Sequence, residues 1–178
     1  MRLFVALVPP EELRRDLEQQ GRKLRALCQK GRMIPRENIH LTLAFLGETD
    51  RCAGAERAMV RAAGAPFSLR TSRPGRFSGK KGDLWWMGVE ESPPLLALRR
   101  RLVRALGEEE VWLDDAKSFR PHLTLGRDLR PLSDADLTVW AAACPQYEWR
   151  VKELILMESR RDTAGLRYIP LIRRPLEE

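Results

Sequence analysis

Two histidines occur in 178 residues, and each opens the same tetrapeptide: His40-Leu41-Thr42-Leu43 and His122-Leu123-Thr124-Leu125. An unperturbed imidazole titrates near neutrality, at about 6.5. A neutral ring can take a proton from an attacking water or hydroxyl, and a protonated ring can give one to a leaving oxygen. Threonine hydroxyls can donate to the oxygens on which charge builds in a transition state. Arg127 follows the second threonine by three residues and can add a charge-assisted contact to the same group. Two imidazoles, two hydroxyls and a guanidinium suit phosphodiester chemistry, and that chemistry requires no metal. Strand alternation puts His40, Thr42 and Ala44 on one face, with Leu41, Leu43 and Phe45 on the other. The second copy repeats this, with His122, Thr124 and Gly126 on one face and Leu123 and Leu125 on the other. If the two strands adjoin, both His-Thr faces open on one cleft. The likeness of the copies leaves open which imidazole is the acid and which the base.

A lone strand histidine is ordinarily a satisfied core or surface residue, but two identical tetrapeptides that hold every histidine ask for another explanation. The motifs begin 82 residues apart and neither carries a carboxylate on its His face. Cys28, Cys52 and Cys144 are odd in number and widely spaced, with no C-x-x-C. Neither a zinc site nor a disulfide framework is expected, and the thiols fit a reducing compartment. No metal and no cofactor are expected. There is no glycine-rich phosphate loop or dinucleotide fingerprint, so kinase and dehydrogenase readings lack support.

The elements that must hold the motifs are legible as alternating strands and helices. Leu3 to Val8 is a short apolar run closed by Pro9-Pro10 and reads as a buried strand. A helix follows, with Glu11 and Glu12 in its first turn and Leu13, Leu17, Leu24, Leu27 and Cys28 on one face, stopped by Gly31. Ile39 to Gly47 is a strand and Asp50 to Ala63 a weaker helix. The stretch around Phe67 and Leu84 to Val89 read as strands, and Thr71 to Asp83, with Arg73, Arg76, Lys80 and Lys81, as a mobile basic loop. Leu95, Leu98, Leu102 and Leu106 mark a helix after Pro93-Pro94. His122 to Gly126 is a strand, Asp134 to Ala143 a helix capped by Ser133, and Trp149 to Ser159 and Tyr168 to Ile172 the last strands. This order favours an α+β layered fold. In each half an extended segment and a helix precede the H-L-T-L strand, which suggests a pseudo-symmetric, two-lobed architecture. Trp85, Trp86 and Trp112 are read as core or interface residues before base-stacking ones.

The net charge is +7 and the sequence pI about 9.8, which favours an anionic partner such as nucleic acid or a phosphorylated small molecule. Arginine supplies 26 of the 32 basic residues, and its planar fork suits phosphate. No run approaches the ~20 apolar residues of a membrane span. The apolar run near the N-terminus is too short for a signal-peptide core. A cytoplasmic protein without a membrane partner, and a monomer, is the expectation.

The paired H-x-T-x motifs resemble those of the two-histidine (2H) phosphoesterase superfamily. The stretches "MRLFVALVPPEE", "PRENIHLTLAFLGE", "FRPHLTLGR" and "LILMESR" are similar to its RNA 2′,3′-cyclic phosphodiesterase branch, formerly described as 2′-5′ RNA ligases, over most of the chain. The resemblance implies one bilobal domain over 1–178, with two mostly antiparallel sheets around a central cleft, helices outside and one motif on each lobe. It implies hydrolysis of RNA ends or nucleoside 2′,3′-cyclic phosphates to 2′-phosphomonoesters. His40 is then the proton donor to the 3′ oxygen and His122 the proton acceptor that activates water. Thr42 and Thr124 hold the phosphate, with Arg127 assisting. The alternatives are 2′-5′ RNA ligation in the same site and a non-catalytic RNA-binding module. Members of that branch often carry an aromatic residue shortly before the first motif; here Met33 and Ile34 stand in that stretch.

Overall fold

A computed structural model describes residues 1–114, 118–163 and 165–177. In chain order the elements are β1 (Arg2–Leu7), α1 (Glu11–Ala26), β2 (Cys28–Met33), β3 (Leu41–Glu48), α2 (Cys52–Ala62), β4 (Phe67–Phe77), β5 (Asp83–Val89), α3 (Pro93–Glu108), β6 (His122–Pro131), α4 (Asp134–Ala143), β7 (Glu148–Val151), β8 (Glu153–Asp162) and β9 (Gly165–Pro175). They form two antiparallel sheets, β3-β1-β8-β9 and β2-β6-β5-β4-β7. The bilobal α+β fold expected from the sequence is therefore found. Among the described residues no helix is long and apolar enough to cross a membrane.

The helices form where their apolar spacing requires. In α1, Leu13, Leu17, Gln20, Gly21 and Leu24 are buried, one stripe of a 3.6-residue period, with Glu11 and Glu12 in the first turn. In α3, Pro93 and Pro94 occupy the first positions, where a missing N–H costs nothing, and Leu95, Leu98, Leu102 and Leu106 are buried. Ser133 caps α4 by accepting the Asp136 N–H at 3.4 Å. Helices α2 and α3 pack on each other and against the first sheet, while α1 and α4 cover the second. Leu3, Val5, Leu7, Leu41, Leu43, Leu123, Leu125, Leu154 and Leu156 form the strand side of the main core. A second cluster of Phe4, Ala6, Ile155 and Met157 lies on the opposite face of β1 and β8, with Phe45 and Tyr168 against it.

Several elements depart from the sequence reading. Cys28 leaves the helix and opens β2, and Gly31 is no stop signal but lies inside that strand at φ +139°. The basic loop is largely strand: β4 runs through to Phe77, and only 78–82 turn the chain. The register slips between Thr71 and Pro74, and a slip of this kind is where a strand tolerates a proline. Gly75 lies directly under Trp86, so close that a Cβ there would sit 2.2 Å from the ring. The run Trp149 to Ser159 is two strands in different sheets: Lys152 separates β7, which pairs with β4, from β8, which pairs with β1 and β9.

Candidate active site

His40, Thr42, His122, Thr124 and Arg127 all line one cleft of about 690 Å³. His40 stands at the entrance to β3 and His122 at the first residue of β6, so the two lobes each present one copy of the motif. The rings are held alike. His40 Nδ1 lies 2.7 Å from the Asn38 carbonyl and His122 Nδ1 lies 2.7 Å from the Arg120 carbonyl, each two residues back. A carbonyl oxygen can only accept, so both Nδ1 atoms carry the proton and both neutral rings keep a basic Nε2. His40 Nε2 is 3.0 Å from Thr42 Oγ1, a distance at which the hydroxyl donates to the unprotonated ring.

Strict alternation fails in both motif strands, and in the same way. The pairing of β1 with β3 slips between Thr42 and Ala44, and that of β5 with β6 slips between Thr124 and Gly126. Each slip is a bulge that turns the following residues over. Ala44 is accordingly in the core and Phe45 lines the cleft, and Gly126 is buried while Arg127 lines the cleft. The sequence reading placed Ala44 and Gly126 on the cleft face; the bulge corrects both. It also explains how Arg127, an odd number of residues from Thr124, reaches the same cavity.

Aromatic rings pack round each imidazole. Phe4 and Tyr168 stand 4.9 Å from the His40 ring, and Phe77 and Trp86 stand 5.5 and 5.9 Å from His122. Burial pushes the His40 pKa down to about 4, with the charges of His122 and Arg127 acting in the same direction. Burial likewise lowers His122, as do Arg127 and Arg120. The two rings thus feel each other, as a pair must if protons are to be shared out between them. Arg127 has no carboxylate partner among the described residues and is exposed to the cleft.

Nothing local in the sequence marks Asn38. It is buried, its amide donates to the Leu166 carbonyl at 2.8 Å and its Oδ1 accepts the Tyr168 N–H at 3.3 Å. It therefore ties β9, and with it Tyr168, to the residue that orients His40. Phe4 was hidden too: β1 is apolar on both faces, so its alternation gives no sign that Arg2 and Phe4 point to the cleft. Among the described residues no group of three or more His, Cys, Asp or Glu is placed to hold a metal ion.

Two antiparallel sheets that each offer an H-x-T-x motif to a shared cleft define a 2H phosphoesterase. The chain belongs to the 2′-5′ RNA ligase superfamily, whose family model matches residues 9–163. It is 31% identical over 183 residues to an RNA 2′,3′-cyclic phosphodiesterase of Thermus thermophilus, covering 96% of this chain and 88% of that protein. It is 30% identical over 178 residues to an RNA 2′,3′-cyclic phosphodiesterase of Escherichia coli, covering 97% and 94%. A crystal structure of a Thermus thermophilus protein superposes with a TM-score of 0.77 at 29% identity, covering 99% of this chain and 98% of that one.

Proposed function

We propose that this protein opens RNA 2′,3′-cyclic phosphate ends to 2′-phosphomonoesters by proton transfer between two histidines, without a metal ion. The observation that carries the reading is the matched pair of imidazoles, each with Nδ1 tied to a backbone carbonyl and Nε2 left to act in the same cavity. The relatives named RNA 2′,3′-cyclic phosphodiesterase support the same substrate. His122 takes a proton from water as the water oxygen bonds to phosphorus. The bond from phosphorus to the 3′ oxygen breaks, and His40 Nε2 gives its proton to that oxygen. Thr42 and Thr124 donate to the non-bridging oxygens, and Arg127 balances the added charge. A ring held near 4 is a stronger acid than an ordinary imidazolium once protonated, but it seldom carries a proton in the empty cleft. The negative charge of the bound cyclic phosphate loads it.

The direct test is a 2′,3′-cyclic nucleotide incubated with the protein in EDTA, the product isomer being read by phosphorus NMR. A 2′-phosphate is expected. A 3′-phosphate would reverse the substrate in the cleft, and loss of activity in EDTA would remove the metal-free mechanism.

The pH profile follows from the two depressed values. Catalysis needs one ring neutral and the other protonated. In the empty cleft a singly protonated pair prevails between about 4, for His40, and a His122 value below its ordinary 6.5. Its proton rests mostly on His122, and the productive form, with the proton on His40 and His122 neutral, is a fixed fraction of that pair and follows the same pH profile. The kcat/KM profile reports the free protein, so its maximum is expected below pH 6.5. Bound phosphate raises both rings, which moves the kcat maximum to higher pH than that of kcat/KM. A kcat/KM maximum above about pH 7 would contradict this protonation scheme.

A further inference from the structure

Many of the arginines outside the cleft are matched with carboxylates, among them Arg57 and Arg61 with Glu109, Arg70 with Glu148 and Arg173 with Glu153. One stretch of surface that begins at the cleft gathers several cations around a single carboxylate. Arg127 lies opposite Arg32 across β6 and β2, and three residues further along β6 Arg130 lies opposite Lys30. Lys80 and Lys81, in the turn between β4 and β5, line the same open pocket of about 350 Å³ as Lys30, Arg32 and Arg130. Arg130 Nε donates to the Lys81 carbonyl at 3.4 Å, which joins that turn to the strand pair. All six cations are exposed. Asp128 is the one acid among these lining residues, and it is bonded to Arg32 at 2.6 Å. That bond, and the charges of Arg32, Lys81 and Arg127, hold the Asp128 carboxyl below its usual value. Cations from two strands and a turn thus act on a single residue at the edge of the cleft.

Like charges gathered this closely repel one another. Lysines on an edge strand such as β2 also discourage pairing with another chain. Lys80, Lys81 and Arg130 are not on that edge, however, and the row starts at the arginine that faces the phosphate site. A line of cations leading out of a phosphate-binding cleft is complementary to a line of phosphates, and its occupation would release the counterions of both.

We infer that this row, from Arg127 through Arg32 and Arg130 to Lys30, Lys80 and Lys81, is a track for the backbone of single-stranded RNA 5′ to the cyclic phosphate. The substrate class is then a polynucleotide end and not a mononucleotide. The inference rests on the cyclic phosphodiesterase reading above. A mononucleotide has one phosphate, which sits between the two histidines and leaves the track empty.

The test uses the full-length protein and the triple variant K30Q/K80Q/K81Q, whose side chains lie outside the cleft. Two substrates are compared over a salt series: a 2′,3′-cyclic mononucleotide and a single-stranded oligoribonucleotide with a 2′,3′-cyclic phosphate end. Anisotropy of the same oligonucleotide carrying a 2′-phosphate reads binding alone. Single-stranded contacts each contribute about 0.7 to the slope of log affinity against log salt. The variant is therefore expected to lose about 10–100-fold in oligonucleotide kcat/KM and in affinity near 0.1 M salt, and to flatten the slope by about 2. The mononucleotide rate is expected to stay within about twofold. Unchanged oligonucleotide kinetics and affinity would overturn the track, and so would an equal loss on both substrates. If the unmutated protein hydrolyses neither substrate, the proposed activity fails by itself. The anisotropy series still decides the track: weaker, salt-flattened binding by the variant upholds it and unchanged binding overturns it.

Discussion

Replacing His40 or His122 with alanine is expected to lower kcat on a 2′,3′-cyclic nucleotide by about 10²–10⁴-fold, the range that one positioned proton donor or acceptor contributes. In the proposed mechanism the two rings act as a unit, one taking the proton of the attacking water while the other protonates the departing 3′ oxygen. The double variant is therefore expected to fall little below the worse single one. Each ring is also a packing element. His40 sits against Phe4 and Tyr168, and His122 against Phe77 and Trp86. Asparagine variants serve as the second measurement, since the amide can keep the bond to the Asn38 or Arg120 carbonyl while carrying no titratable proton. Alanine and asparagine at the same position should be equally slow if the loss is one of proton transfer. Near-normal turnover in either folded single variant would remove the two-histidine mechanism.

The fold was legible where hydrophobic period and cap chemistry agree. Leu13, Leu17 and Leu24 announce α1, and Leu95, Leu98, Leu102 and Leu106 announce α3; the same leucines are buried. It was illegible where a strand depends on its neighbours. β2 reads Cys-Gln-Lys-Gly-Arg-Met, has one buried residue, and exists because β6 supplies its hydrogen-bond partners. Cys28 stands four residues after Leu24, which is also helical spacing, and nothing local decides between the two. Pro74 and Gly75 argued for a loop, whereas the bulge accommodates the proline and Trp86 demands the glycine. Period alone gives no sign that Trp149 to Ser159 changes sheets at Lys152.

The candidate site shows the same division. The duplicated tetrapeptide led directly to His40, Thr42, His122 and Thr124, since both the residue types and their repetition carried information. What the sequence concealed is the bulge after each threonine, because a bulge is a property of the paired ladder and leaves no fixed local signature. Its consequence is chemical. In one lobe it delivers Phe45 to the cleft and in the other Arg127, so the two halves share a backbone device and differ in what it presents. At matched positions one lobe presents an aromatic ring and the other a guanidinium, an asymmetry that the two identical motifs do not contain.

That asymmetry bears on the threonines, whose removal is the other large effect expected. Thr42→Val and Thr124→Val keep the branched shape that suits a strand and remove only the hydroxyl. Losing one donor to the developing charge costs about 10²–10³ in kcat, with KM for a cyclic mononucleotide changing much less, because the donor matters most when the phosphate oxygens carry added charge. The two variants are not expected to be equal. Thr42 Oγ1 lies 3.0 Å from His40 Nε2, so valine there frees the imidazole as well as the phosphate oxygen. On the other lobe Arg127 lines the same cavity as Thr124 and can take over part of the lost contact. Thr42→Val should therefore be the slower enzyme, and Arg127→Gln should deepen the Thr124→Val defect by more than its own effect on the unmutated protein. Equal kcat values for the two valine variants would mean that the bond between Thr42 and His40 is broken before the chemical step. Simple additivity of Thr124→Val with Arg127→Gln would mean that hydroxyl and guanidinium serve different oxygens.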